Sequence, residues 1–138
     1  TPGAALANLV RDPKPSVRAA VAGNPRTPAA ALGALVADKD DDVLDALAGN
    51  PSASVGFLEQ QANAPLDWSS AVRMARIANN PSAPAAALRK IAYSPSSEVR
   101  ALVADNPNTP HDTLEILAHD ESSNVRAGAK ARLHPGAT

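Results

Sequence analysis

The sequence predicts an all-α solenoid, an array of one small two-helix unit with no strands. Three observations predict it. An Asn-Pro pair recurs at Asn24-Pro25, Asn50-Pro51, Asn80-Pro81 and Asn106-Pro107, in steps of 26, 30 and 26 residues. A leucine recurs independently at Leu6, Leu32, Leu58, Leu88 and Leu114, in steps of 26, 26, 30 and 26. Two markers that share one period and one exception identify a repeat, whose units bury their apolar faces by stacking. The third observation is composition: 44% of the 138 residues are apolar but only 2% are aromatic. Ala, Leu and Val must therefore build a fine-grained core.

The unit is clearest over residues 99–118. Val99 and Val103, four apart, share one helix face. Asn106 tolerates positive φ and so suits a helix end, and Pro107 bars the helix from continuing. Thr109 is placed to cap the next helix by accepting from its free amides, with Pro110 at the first position, where no N–H is missed. Leu114 and Leu117, with Ala118 beside them, form one apolar stripe.

In chain order, residues 1–16 are a half unit, with Thr1-Pro2 as the cap and Leu6, Leu9 and Val10 as the stripe. Units follow at 17–42, 43–71, 72–98 and 99–124, and residues 125–138 are a half unit and tail. Asp12, Asp38, Ser94 and Asp120 open the polar loops between units. Ser96/Ser97 and Ser122/Ser123 are candidate caps for the helices that follow. The second unit departs from the pattern, with Ala53-Ser54 in place of Thr-Pro and Gln61 in place of Leu or Ile. Four extra residues then fall within 64–71, about one α-helical turn. A longer first helix over 67–78 is expected, capped by Asp67, so that the 72–98 unit carries a one-turn insertion. A chain that begins at Thr1, midway through a unit, is expected to be a piece of a longer protein.

The pattern Val-Arg-x-x-Val-Ala-x-Asn-Pro-x-Thr-Pro-x-x-x-Leu-x-x-Leu resembles the leucine-rich repeat variant family of bacteria. It stands here as Val17-Arg18, Asn24-Pro25, Thr27-Pro28, Leu32 and Leu35, and again from Val99 to Leu117. The resemblance implies a right-handed superhelix of alternating α- and 3-10-type helices. It also implies an iron–sulfur cluster on an added cysteine-bearing segment, which a chain without cysteine does not carry over; no cofactor is expected. A HEAT-like solenoid is the alternative, although its units are longer and usually lack the Asn-Pro corner.

Composition narrows the partners. Thirteen prolines would suggest disorder in an unpatterned chain, but most fall at the corners. Each compatible one stabilises by about 0.4–1 kcal/mol through the unfolded chain. The net charge of −1 gives no general attraction to nucleic acid or an anionic membrane. The charge is unevenly spread, however. Residues 38–67 carry Asp38, Asp40, Asp41, Asp42, Asp45, Glu59 and Asp67 against Lys39 alone, and the remainder is correspondingly basic, with Arg126, Lys130 and Arg132 near its end. No window is long and apolar enough to span a membrane, no signal peptide is visible, and a cytoplasmic location is expected.

Two sets of residues are candidates for binding. Arg18, Arg100 and Arg126 recur at unit spacing, with Arg73 or Arg76 in the irregular unit. Such a row suits an acidic peptide or phosphates, or else holds layers in register through acids and helix ends. Leu44 interrupts it, which favours the second role. Phe57, Trp68 and Tyr93 are the only aromatics and fall in or beside the irregular units. They suit either a recognition site or the filling of a gap left by the added turn. The corner residues Asn24, Asn50, Asn80 and Asn106 are assigned to geometry rather than ligands. No metal or catalytic site emerges: His111, His119 and His134 lack paired zinc spacing, and no phosphate loop, nucleophile elbow or carboxylate pair is present. The expectation is a non-enzymatic scaffold that binds a protein or peptide. Nucleic-acid binding through the arginine row, and end-to-end self-association of the two complementary half units, are the alternatives.

Overall fold

The computed structural model describes residues 2–136, so the expected Thr1 cap lies outside it. Among these residues there are ten α-helices, one 3-10 turn and no strand. The helices are α1 (Pro2–Leu9), α2 (Pro15–Gly23), α3 (Ala29–Leu35), α4 (Asp41–Ala48), α5 (Val55–Ala62), α6 (Ala71–Ala78), α7 (Ala85–Ile91), α8 (Ser97–Asp105), α9 (His111–Leu117) and α10 (Ser123–Leu133). The even-numbered helices, the first halves of the units, stack in one file: α2 on α4, α4 on α6, α6 on α8, α8 on α10. The odd-numbered helices run alongside in a second file. No described helix is long and apolar enough to cross a membrane.

The core lies between the files. Val21, Val43, Leu47, Ile77, Val103 and Val125 enter from the first file, and Leu32, Leu58, Leu88 and Leu114 from the second, all buried. Ala22, Ala48, Ala78 and Ala104 share one register and are fully buried. A methyl group there lets successive first helices approach closely, and a larger side chain would force them apart.

The corners differ from expectation in an informative way. Asn24 and Asn106 adopt extended backbone (φ −82°, ψ 118° and φ −73°, ψ 129°), and no described non-glycine residue has positive φ. The following proline imposes this conformation, so tolerance of the left-handed region is not what selects Asn. Its carboxamide does two other jobs. Oδ1 accepts from the amide two residues on, closing the turn at Arg26, Ser52, Ser82 and Asn108. Nδ2 reaches into the preceding unit and bridges two carbonyls. Asn50 bonds to Ala22 O and Asn24 O (2.7 and 3.0 Å), Asn80 to Ala48 O and Asn50 O (2.8 and 2.9 Å), and Asn106 to Ala78 O and Asn80 O (2.7 and 2.9 Å). At the next position in register stands Arg132, whose guanidinium bonds to Ala104 O and Asn106 O (3.4 and 2.8 Å). An arginine there continues the ladder without a corner.

The threonines are not caps. Pro28 and Pro110 hold the N-cap positions, one residue earlier in the helix than expected. Thr27 and Thr109, both buried, turn their hydroxyls backwards to donate to Val21 O and Val103 O. Each adds a second donor to a carbonyl in the last turn of the preceding helix, which also accepts from the corner asparagine's amide. Ser54 does cap α5, accepting from the Phe57 amide, and Ser96 caps α8 in the same way. The added turn is also not α-helical. Asp67 caps as expected, accepting from the Ser69 and Ser70 amides, but Trp68–Ser70 is a 3-10 turn set before an α6 of ordinary length. Conversely, the short helices α3, α7 and α9 are α, not the 3-10 type that the resemblance implies.

Asn80 is 1% exposed, so Asn80→Ala should cost about 1–3 kcal/mol by leaving the buried Ala48 carbonyl without its donor and Asn50 O with the Ala53 amide alone. Asn80→Asp keeps the shape and the turn acceptor but loses both N–H groups, and should cost at least as much. Thermal denaturation followed by circular dichroism compares the two variants with the parent.

Candidate binding surface

The arginine row is engaged from within. Arg18 Nε donates to Asp38 Oδ2 at 2.8 Å while its Nη1 donates to Asp12 O at 2.8 Å. Arg100 repeats the arrangement with Asp120 Oδ2 at 2.7 Å and Ser94 O at 2.8 Å. Arg126 makes the same backward bond, to Asp120 O at 2.7 Å. Each arginine thus ties the loop before its helix and, in the first two cases, the acid opening the loop after its unit. Arg100 is only 7% exposed. The Arg18 hydrogen bond holds the Asp38 carboxyl below its ordinary range, with help from the Asp40 amide. At Asp120 burial opposes ionisation, but the Arg100 hydrogen bond, the Ser122 amide and nearby arginines outweigh it, and its pKa is also lowered.

In the irregular unit the same register is rewritten. Arg73 stands where other units have Val17, Val43, Val99 and Val125, and the buried Met74 stands where they have Arg18, Arg100 and Arg126. Gln61 occupies the position of Leu35, Ile91 and Leu117. The two substitutions answer each other: Arg73 Nη1 donates to Gln61 Oε1 at 2.9 Å, Nε to Asp45 at 2.7 Å and Nη2 to Asp41 Oδ1 at 3.1 Å. A polar cluster has replaced an apolar pair. Arg76 is exposed and makes no hydrogen bond or ion pair with another described residue.

This cluster forms one wall of a pocket of about 370 Å3, whose lining includes Asp41, Asp45, Pro65, Asp67, Ser69 and Arg73. A hydrogen bond from the Ser69 hydroxyl holds the Asp67 carboxyl below its usual range. Between Asp67 and Ser69 stands Trp68, which is 71% exposed. The indole does not fill the gap left by the added turn, as its packing role required; the inserted residues are pushed outward instead. Phe57 is buried in the core, and Tyr93 is 66% exposed beyond the end of α7, outside this pocket's lining. Sequence reasoning missed the Gln61–Arg73 pairing, although both residues break the apolar register. No group of three or more described His, Cys, Asp or Glu residues is arranged to hold a metal ion.

Two files of short helices joined by repeating corners define the chain as an all-α solenoid repeat protein. Comparison with known sequences gives the family. The family described as "Leucine Rich Repeat Variant domain" matches residues 72–133, and that described as "Leucine rich repeat variant" matches residues 15–40. A solved structure described as "a leucine-rich repeat variant with a novel repetitive protein structural motif" is similar over 97% of this chain, with 29% identity and a TM-score of 0.65. This chain spans 52% of the length of that one. No curated protein matches. The chain belongs to the leucine-rich repeat variant family.

Arg100→Glu should lower stability by about 3 kcal/mol, since it leaves Asp120 and a second carboxylate together in a largely buried site. Because the Asp38 and Asp120 pKa values are lower folded than unfolded, their contribution is present above the unfolded carboxylate value of ~4 and is lost below it, as pH falls through the depressed folded values. Melting temperature should therefore drop on acidification, and Asp120→Asn should flatten that dependence while lowering the neutral value.

Proposed function

We propose that this chain is a non-catalytic scaffold that binds a basic segment of another protein at its irregular unit. The observation that carries the reading is Trp68, exposed between Asp67 and Ser69, two residues of an acid-lined pocket, at the point where the repeat is broken. Insertions in repeat proteins map to loops on one face, often the binding face. A large amphipathic ring supplies contact area at low entropic cost, and binding energy concentrates on such anchors. Asp41, Asp45 and Asp67 against Arg73 leave the pocket net negative, and they sit in the most acidic stretch of the chain. A lysine or arginine side chain fits that charge, and its cation can lie over the indole face. Nucleic-acid binding through Arg18, Arg100 and Arg126 draws no support from their geometry, because their guanidinium groups are committed to loop carbonyls and carboxylates.

The test is a fluorescence titration of Trp68, the single tryptophan, against an array of lysine- and arginine-bearing peptides with matched acidic controls. Basic peptides should shift its emission and acidic ones should not. Trp68→Ala, followed by calorimetry, should weaken the best peptide at least tenfold without changing the melting temperature. Equal binding of acidic and basic peptides, or an unchanged affinity in Trp68→Ala, would overturn the reading.

A further inference from the structure

Two positions on the outer face of α6 reverse the pattern of the repeat. Val72 is 58% exposed, where the same register in other units holds Ser16, Asp42, Glu98 and Asn124. Arg76 is exposed, where the other units hold Ala20, Ala46, Leu102 and Gly128. A polar position has become apolar, and a small or apolar one has become charged. Residues four apart share one helix face, so the two lie about 6 Å apart along α6. Neither change answers a partner inside the molecule. Val72 borders the acid-lined pocket, and Arg76 makes no hydrogen bond or ion pair with another described residue. The stem of Arg76 instead crosses the end of α4, where a Cβ on Gly49 would lie 3.5 Å from Arg76 Cδ. Pocket and uncommitted guanidinium thus occupy one seam between α4 and α6. Asp41 and Asp45 line it from α4, and Gly49 lies one turn beyond Asp45.

We propose that this seam takes a partner segment of both charges. A lysine or arginine enters the pocket, as the proposed function has it and as this inference requires, and an aspartate or glutamate two or four residues away pairs with Arg76. Charge complementarity along the seam carries the inference. A segment with basic residues alone would set a like charge against Arg76, and one with acidic residues alone would meet Asp41, Asp45 and Asp67. The spacing follows from chain geometry. An extended segment advances about 3.3 Å per residue with alternate side chains on one face. Side chains two apart therefore span the single turn from Asp45 to Gly49, and side chains four apart span the two turns from Asp41. Lying along α6, the segment covers Val72, so an apolar side chain suits that place. A carboxylate can meet the guanidinium with two parallel hydrogen bonds. At so exposed a position the pair adds little affinity, and its effect is to separate one basic segment from another.

Calorimetric titration with short synthetic peptides tests this. Each peptide carries one lysine and one glutamate, two or four residues apart in an otherwise uncharged sequence, and has a counterpart with glutamine in place of glutamate. The glutamate should tighten binding roughly threefold, as a surface ion pair does, and the gain should shrink as salt is added. Arg76→Gln should erase the difference between the paired peptides, and Arg76→Glu should reverse it. Melting temperatures should not change, because the Arg76 guanidinium holds no other described group. Lysine peptides that bind alike with glutamate and with glutamine would overturn the inference and leave the pocket as a seat for a basic residue. A preference for glutamate that survives in Arg76→Gln would also overturn it. Failure of every lysine peptide to bind would overturn the pocket's role and this inference together.

Discussion

The array depends on one side chain: a buried carboxamide that spans two carbonyls of the unit before it. A helix that ends at proline leaves backbone acceptors facing the next layer, where no water can reach them. Asparagine is short enough to be held rigidly at the corner, and its two N–H donors match the two acceptors. Its own oxygen folds the turn that places it. Asn50, Asn80 and Asn106 therefore do in one group what would otherwise take a turn signal and an inter-layer contact. The close stacking of Ala22, Ala48 and Ala78 goes with it, because the carbonyls that accept these bonds sit at those alanines and two residues beyond them.

The irregular unit shows how strict that constraint is. Thirty residues separate Asn50 from Asn80, yet Asn80 makes the same pair of bonds at the same lengths as its counterparts. The four extra residues cannot be absorbed by stretching the stack, so they leave it as a 3-10 turn on the surface, with Trp68 outermost. The polar replacement of two core positions, Gln61 and Arg73, sits next to that extrusion and ties α6 to α5 through Gln61 and to α4 through Asp41 and Asp45. A fold that keeps its register at the ladder is free to vary where the ladder is absent.

Much of this was legible in the sequence, and the parts that were not share a cause. Period, unit composition, the corners and the Asp67 cap all rest on local chemistry, which residue identity reveals. The misreadings at the corners concern bonds whose partner is a backbone atom. Thr109 looks like a cap because its hydroxyl can accept from the helix ahead, but nothing in the sequence shows that it donates instead to the Val103 carbonyl behind it. The inter-unit reach of asparagine was invisible for the same reason. The arginine clamps did leave a signal: Asp38 and Asp120 follow Arg18 and Arg100 at one constant separation, and Leu44, which breaks the row, has Ala64 at that separation. The candidate surface was legible as a break in pattern. Its shape was not, because whether Trp68 turns inward or outward depends on how the inserted residues are accommodated.

The bonds of the ladder all point one way, since Asn50, Asn80 and Asn106, and Arg132 after them, each hold the unit before. The molecule therefore has a mechanical polarity. Tension along the stack loads these bonds one layer at a time. The release of α10 removes the Arg132 clasp from Asn106 without disturbing the bonds that Asn106 itself makes to the layer beneath. Each later step frees one unit of 26 residues, about 90 Å of extended chain. Such a chain can lengthen under load in discrete increments and restack in the reverse order.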